Sequence, residues 1–477
     1  YKRQTMASRL PAPKEQMSGK TEQDEAGQAA PSTESPDGTG TLFGAGAPEH
    51  GSDGQGSLFG HVAAAEQPGN QGTLFGNPSA MTPSSAANIS NTPHEYSTAG
   101  NMDEAKELAA RLAQLPEFCF DTETTSLDPL STSLVAIAFS WQKGSGTMLW
   151  LPPERDEAMR MLAPFRRVFE DEKIAKTGQN LKFDIQVLSN YDIRVRGRLF
   201  DTMIAHYLLE PDMRHNMDLL SASYLNYEPV HIEELIGERG PKQKNMRDVD
   251  VESLREYSVE DADVTWQLKE KFAPMLKKEG LDKLADTIEM PLIAVLADME
   301  RTGVMLDSEA LNSYAVTLRE TLIKLEAEIY TLAGQEFNIS SPKQLGEILF
   351  VRLKLDDKAR LTKTKQYRTD EEVLQRLSSR HPVIGKVLEY RGVKKLLSTY
   401  VEALPGLVSP VTGRLHTTYN QAVASTGRLS STNPNLQNIP VRDAEGREIR
   451  KAFIPARGKT FLSADYSQIE LRLMAHL

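Results

Sequence analysis

The sequence predicts an α/β domain built on a mixed sheet with flanking helices. A mostly α-helical region and the opening of an α+β unit follow it, and a disordered segment stands in front. Three observations predict this. Phe118 to Leu127, reading FCFDTETTSL, alternates apolar and polar residues with the two-residue period of a strand, and strand and helix patterns alternate from there to about residue 276. Beyond that point the pattern is of long helical stripes, as in Leu318, Leu322, Leu325 and Ile329. Residues 1–100 are dominated by Gly, Ser, Pro, Ala, Gln, Thr and Glu, which bury too little apolar surface to offset the entropy of ordering. The expected organisation is a low-complexity linker at 1–100, an α/β domain at 101–276 and a further region at 277–477.

Composition narrows the function classes. The 477 residues carry a net charge of −11, which excludes a generic phosphate binder and confines any nucleic-acid surface to a local patch. The single cysteine, Cys119, excludes an intramolecular disulfide and suits a reducing, cytoplasmic setting; within a strand pattern it reads as a small core residue. No apolar run of about 18 residues and no basic-then-apolar leader occurs, so neither membrane insertion nor secretion is expected. The chain opens on Tyr1, which reads as a processed or excised piece.

The linker holds a repeat. Thr39-Gly-Thr-Leu-Phe43, Gln55-Gly-Ser-Leu-Phe59 and Gln71-Gly-Thr-Leu-Phe75 recur, each followed by Gly. Leu-Phe pairs in a polar tether suit anchors that order on entering a partner's pocket; duplication without a partner is the alternative. The second and third copies resemble the Gln-x-x-Leu-Phe peptide with which bacterial replication proteins bind the sliding clamp, whereas the first has Thr39 in place of Gln.

A helix is expected over Asp103–Leu115, strands over Leu134–Trp141, Thr147–Leu151 and Lys173–Thr177, and a helix over Asp156–Glu170. In the organising strand, Asp121 and Glu123 share one face, roughly 7 Å apart at ~3.3 Å per residue. Two neighbouring carboxylates repel unless a cation compensates, and hard divalent ions take such oxygen ligands. In Gly178-Gln-Asn-Leu-Lys-Phe-Asp184, Leu181, Ile185 and Leu188 mark a helix starting near Asn180, and Asp184 lies in its second turn, able to look to the sheet or serve the helix dipole. In Tyr257-Ser-Val-Glu-Asp261, Tyr257 and Asp261 stand one turn apart on an inward face, whereas Glu260 and Asp263 fall on other faces and are expected to be solvated.

Asp-x-Glu on a strand, Asp on a helix and Tyr-x-x-x-Asp on another helix resemble the three motifs of the proofreading 3′–5′ exonucleases, whose fold is a ribonuclease H-like mixed sheet. The resemblance implies two divalent ions, Mg²⁺ or Mn²⁺. Asp121, Glu123 and Asp261 would hold one, Asp121 and Asp184 the other, and Tyr257 would orient the attacking water. Gln179 and Asn180 would touch a frayed DNA strand.

After about Leu276, helices are expected over Thr287–Arg301 and Leu311–Leu332, at Ser341-Pro342, and after Thr369 as a cap. Between the last two, Arg352, Lys354, Lys358, Arg360, Lys363, Lys365 and Arg368 oppose only Asp356 and Asp357, which suits contact with DNA phosphates, Lys363 and Lys365 foremost, or a solvated loop. Ser425-Thr-Gly-Arg428-Leu-Ser-Ser and Asn433-Pro-Asn-Leu-Gln437-Asn-Ile-Pro440 are unlike core. A strand over Lys459–Ala464 is expected to end at Asp465, with a helix over Ser467–Leu477. STGRLSS, NPNLQNIPVR and SADYSQIELRLMAHL resemble the family A DNA polymerases. That likeness implies a helical thumb and the start of a palm, truncated at Leu477. It makes Asp465 a palm metal ligand, places Asp465, Tyr466 and Glu470 at the incoming nucleotide, and sets Arg428, Asn435 and Gln437 against the primer–template duplex. By this reading the segment proofreads and does not polymerise, since a second palm carboxylate would lie beyond it. The competing readings are an RNA-processing exonuclease of the same superfamily and a non-catalytic clamp tether.

Overall fold

The computed structural model describes residues 86–477 apart from 239, 363–364 and 442–443. The Leu-Phe-Gly repeats and Lys363 lie outside the described residues.

The first domain is a six-stranded sheet with helices on both faces. Along the chain run β1 (Glu95–Ala99), α1 (Met102–Leu112), β2 (Glu117–Thr124), β3 (Leu134–Gln142), β4 (Ser145–Trp150), α2 (Arg155–Glu170), β5 (Ala175–Gly178), α3 (Leu181–Ser189), β6 (Leu199–Asp201), α4 (Thr202–Leu209), α5 (Met217–Leu225), α6 (Ile232–Ile236) and the long α7 (Val251–Lys278). The sheet order is β1-β4-β3-β2-β5-β6. β3 runs antiparallel to β2 and β4, while β2, β5 and β6 are mutually parallel, as are β1 and β4. The expected start at residue 101 is corrected: Glu95–Ala99 belong to the sheet as an edge strand, hydrogen-bonded in register with Ser145–Leu149. The polar EYSTA stretch gives weak strand periodicity, and only its partner β4 makes it a strand.

Alternation along β2 separates two chemistries. Phe118 and Phe120 pack with Phe139 against Phe165 and Phe169 of α2, with ring centroids 5.0 to 6.3 Å apart. Cys119 faces the other way, into a cluster with Val135, Ala136, Ala138 and Met148 against Leu254, Val259 and Ala262 of α7. Asp121 and Glu123 continue that second face, so the sheet delivers both toward α7.

The second region continues through α8 (Asp282–Leu284), α9 (Met290–Thr302), β7 (Met305–Leu306), α10 (Ser308–Ala333), α11 (Pro342–Gly346), α12 (Glu371–Leu377), α13 (Pro382–Leu396) and α14 (Ala403–Gly406). It has its own core, including Leu318, Leu325 and Ile329 of α10 and Ile384, Val387 and Tyr390 of α13. Then come β8 (Thr418–Asn420) paired with β9 (Ser430–Thr432), α15 (Ala444–Lys451), β10 (Phe453–Ile454) and α16 (Ile469–His476). Two expectations are corrected. Asp370, not Thr369, caps α12, accepting from Val373 N–H at 3.1 Å. Lys459–Ala464 form no strand: Phe461 and Leu462 are exposed, and among the described residues no strand pairs with them, without which a β ladder has nothing to bond. No helix of the described residues is long and apolar enough to cross a membrane.

Gly146 of β4 lets α7 approach the sheet. A Cβ there would collide with Val259 Cγ1 and lie 2.5 Å from the Phe139 carbonyl oxygen. Gly146→Ala is expected to destabilise the domain by about 1–3 kcal/mol through overpacking. Denaturant midpoints measure this, and a midpoint equal to wild type contradicts the packing described.

Candidate active site

Three elements converge at the C-terminal end of β2. Docking of Leu254, Val259 and Ala262 on the sheet fixes the rotation of α7, which brings Asp261 against Asp121 and Glu123. Asp121, Glu123 and Asp261 each offer a carboxylate oxygen within 4.8 Å of the others. Tyr257, one turn before Asp261, hydrogen-bonds its carboxylate through the phenol. Asp184 of α3 meets the same centre from the side of β5. Its Oδ1 accepts from the Thr122 backbone N–H at 3.1 Å and from the Thr122 hydroxyl, which leaves Oδ2 as its uncommitted oxygen.

The electrostatics are those of crowded, dehydrated acids. Glu123, Asp184 and Asp261 are each less than a tenth exposed. Burial pushes the Asp121 carboxyl up to about 6. Glu123 is held well above the usual carboxylate range by burial, then by the charges of Asp121 and Asp261. Asp184 is raised by burial and by Asp121, against the pull of its Thr122 hydrogen bonds. Asp261 is raised by burial and by Asp121, against the Tyr257 hydrogen bond. Burial and the neighbouring carboxylates likewise push the Tyr257 phenol up, so it stays a neutral donor. Glu123 Oε1 is buried without a hydrogen-bond partner. A set of hard oxygen donors of one sign, one of them orphaned, fits a divalent cation.

The sequence missed two supports of this centre. Asp201, at the end of β6, is 1% exposed and caps two helices at once. Its Oδ2 accepts from Leu181 N–H at 2.7 Å and its Oδ1 from Asn180 N–H at 3.2 Å and Met203 N–H at 2.9 Å. It thereby locks the N-terminus of α3, the helix that carries Asp184. Asp201 before the apolar TMIAHYLL run is a cap signal legible in the sequence, although its hold on α3 is not. Thr122, between the two acids of the strand, is the other support.

Glu260 and Asp263 were expected in solvent, and both are buried. Glu260 accepts from the Tyr227 hydroxyl at 2.6 Å and Val230 N–H at 2.8 Å; Asp263 accepts from the Tyr96 hydroxyl and Gly144 N–H, both at 2.9 Å. The structure packs β1 and the segment after α5 around the far side of α7, so that side is interior too. Gln179 donates its amide to the His215 carbonyl at 2.8 Å and accepts from the Thr202 hydroxyl, whereas Asn180 is exposed at φ 60°.

The remaining candidate residues lie apart from this centre, in the second region. Lys365, Asn435 and Gln437 are exposed. Gln437 Nε2 donates to the Leu429 carbonyl at 3.0 Å, and the exposed Arg428 reaches Glu470 at 3.3 Å. Asp465 and Tyr466 are exposed in the non-helical segment before α16. Several cations of the 352–368 stretch are already engaged: Arg352 donates to the Gly334 carbonyl and Arg368 pairs with Asp370 at 2.7 Å.

Because folding raises these carboxyl pKa values, their protonated forms favour the folded state. That contribution is complete below the unfolded value near 4 and is lost as pH rises through the folded values, about 6 for Asp121. In chelator, the melting temperature is therefore expected to fall between pH ~4.5 and ~7, and Glu123→Gln to raise it at pH 7 by about 2–4 °C. Mn²⁺ should stabilise the wild type more than the variant. Scanning calorimetry with and without Mn²⁺ measures both, and a melting temperature independent of pH contradicts the clustering.

Comparison with known proteins accords with this geometry. A family model described as 3′-5′ exonuclease matches residues 96–277, and one described as DNA polymerase family A matches residues 308–477. The chain is 43% identical over 381 residues to DNA polymerase I of Pseudomonas aeruginosa, covering 77% of this chain and 41% of that one. It is 44% identical over 385 residues to DNA polymerase I of Chloroflexus aurantiacus, covering 78% and 40%. A solved structure of the POL domain of Pol1 from M. smegmatis, in complex with DNA primer-template and dNTP, matches with a TM-score of 0.66 at 29% identity, covering 80% of this chain and 62% of that one. The chain spans about two-fifths of the length of these curated relatives. With an exonuclease domain and a polymerase region joined in that order, it belongs to the family A DNA polymerases of the bacterial DNA polymerase I type.

Proposed function

We propose that this chain removes nucleotides from the 3′ end of DNA by metal-dependent phosphodiester hydrolysis, and that its second region holds the primer–template duplex for DNA synthesis in replication and repair. The observation that carries the exonuclease reading is the Asp121–Glu123–Asp261 cluster, with Asp121 half-buried and the other two buried, and its orphaned Glu123 oxygen. Asp121, Glu123 and Asp261 would hold one divalent ion, and Asp121 with Asp184 a second, Mg²⁺ or Mn²⁺. When bound, such a pair lowers the pKa of water and offsets charge on the phosphoryl oxygens and the leaving 3′ oxygen. The protein's own part is positional. Tyr257 aims a water with its hydroxyl, Thr122 and Asp201 hold Asp184 and its helix in place, and Asn180 meets the strand while Gln179 braces the turn behind it.

In the second region Arg428, Asn435 and Gln437 would contact the minor-groove face of the duplex, and Lys363 and Lys365 its phosphates. Asp465, Tyr466 and Glu470 would take the incoming nucleotide, with Asp465 a ligand of its Mg²⁺. The family A match over 308–477 weighs against an RNA-processing exonuclease. A cytoplasmic setting suits the lone cysteine. The sliding clamp is the proposed partner of Gln55–Phe59 and Gln71–Phe75; two weak anchors on one tether would gain from avidity.

Asp121→Ala with Glu123→Ala is expected to cut Mg²⁺-dependent release of 3′ nucleotides from single-stranded DNA by more than ~10²-fold, as loss of direct ligands exceeds loss of their supports. Duplex binding should persist in a gel-shift assay. Digestion undiminished in the double variant contradicts the site. Separately, Phe59→Ala with Phe75→Ala should abolish capture of the chain by immobilised clamp, and unchanged capture removes the clamp from the list of partners.

A further inference from the structure

Helix α3 faces two ways. Asp184 turns to Thr122 and the carboxylate cluster, while Lys182 and Gln186, one turn apart and on either side of Asp184 in sequence, reach Glu300 of α9. Lys182 Nζ lies 2.6 Å from Glu300 Oε1, and Gln186 Nε2 lies 2.6 Å from Oε2. The pair is enclosed, with side-chain exposures of 13% for Lys182 and 6% for Glu300. Its remaining capacity goes to one residue of β8. The Tyr419 backbone N–H donates to Glu300 Oε1 at 2.6 Å, and the Lys182 ammonium donates to the Tyr419 carbonyl.

Three neighbouring contacts follow the same seam. The Tyr207 hydroxyl of α4 donates to the Ala424 carbonyl at 2.7 Å. Gln421 Nε2 donates to the Glu289 carbonyl at 3.0 Å, and His416 Nδ1 lies 2.6 Å from the Glu300 carbonyl oxygen. Tyr419 pairs with Ser431 of β9, the loop between the two strands holds Arg428, and Asn435 and Gln437 follow β9 directly. One buried ion pair thus joins the helix bearing Asp184 to the hairpin bearing the proposed duplex contacts.

A buried ion pair adds little net stability over apolar side chains of the same volume, yet any slip of one partner strands a dehydrated charge. Such a pair fixes register rather than adding adhesion. We propose that Lys182 and Glu300 are positioning residues that set the hairpin relative to the carboxylate cluster, and so govern excision of a 3′ end delivered by a bound duplex but not excision of a free strand. This rests on the exonuclease reading above. A free strand meets the cluster alone, whereas a frayed primer must reach it while its duplex stays on the hairpin.

The test compares the whole chain with its Glu300→Gln variant on a single-stranded oligonucleotide and on a 3′-mismatched primer–template, with Mg²⁺. Excision from the mismatched duplex, as kcat/KM, should fall roughly tenfold or more, and excision of the free strand should stay within about threefold, as befits misplacement of one partner. Glu300→Gln leaves a buried ammonium unpaired and can weaken the fold, so Lys182→Met with Glu300→Met is measured beside it. That double variant should melt near wild type and still show the duplex-selective loss. Equal losses on both substrates in the double variant, or no loss on either, overturn the proposal. A wild type that releases nothing from either substrate would look different, and would overturn the exonuclease reading together with the link built on it.

Discussion

The structure depends on forcing like charges together away from water. Asp121, Glu123, Asp184 and Asp261 would each be more stable ionised in solvent, and no lysine or arginine pairs with any of them among the described residues. Their carboxyl pKa values rise for that reason. Only the surrounding core makes the arrangement tolerable. The phenylalanine layer of β2, β3 and α2 anchors one face of the sheet, and the close seat of α7 anchors the other. The domain stores unfavourable electrostatics where a divalent cation would relieve it.

Around that centre Asp184 and Asp261 have dedicated supports, whereas Glu123 keeps an orphaned oxygen. Thr122 holds Asp184, Tyr257 holds Asp261, and Asp201 fixes the start of α3 by capping it together with α4. Glu260 and Asp263 do comparable work on the opposite side of α7, where tyrosine hydroxyls and backbone amides, rather than cations, satisfy them. Helix α7 therefore carries three acids within one turn, all buried. Asp261 is the one placed against other carboxylates.

The second region turns its candidate DNA-contact residues outward. Arg428, Asn435, Gln437 and Lys365 are exposed, which suits contact with a large ligand rather than chemistry in a closed pocket. Its tie to the first domain is polar and specific. Glu300 gathers a lysine, a glutamine and a strand amide at one carboxylate, so the two regions meet through a defined register as well as apolar contact.

Much of the site was legible in the sequence because its signals are local. Alternation along FCFDTETTSL put Asp121 and Glu123 on one face, helical spacing put Tyr257 one turn from Asp261, and the likeness of three motifs to known exonucleases added Asp184. The strands and helices followed from period and caps for the same reason. What only the tertiary structure decided is how distant segments meet. Glu260 and Asp263 looked solvated because helical spacing describes one face at a time, and their burial comes from β1 and the segment after α5 closing over the other. The polar β1 became a strand through its partner β4, and the apolar 459–464 stretch stayed irregular without one. Residue types and spacing determine which side chains can share a face; which faces then share an interior depends on contacts hundreds of residues apart, as between Lys182 and Tyr419, that no local pattern encodes.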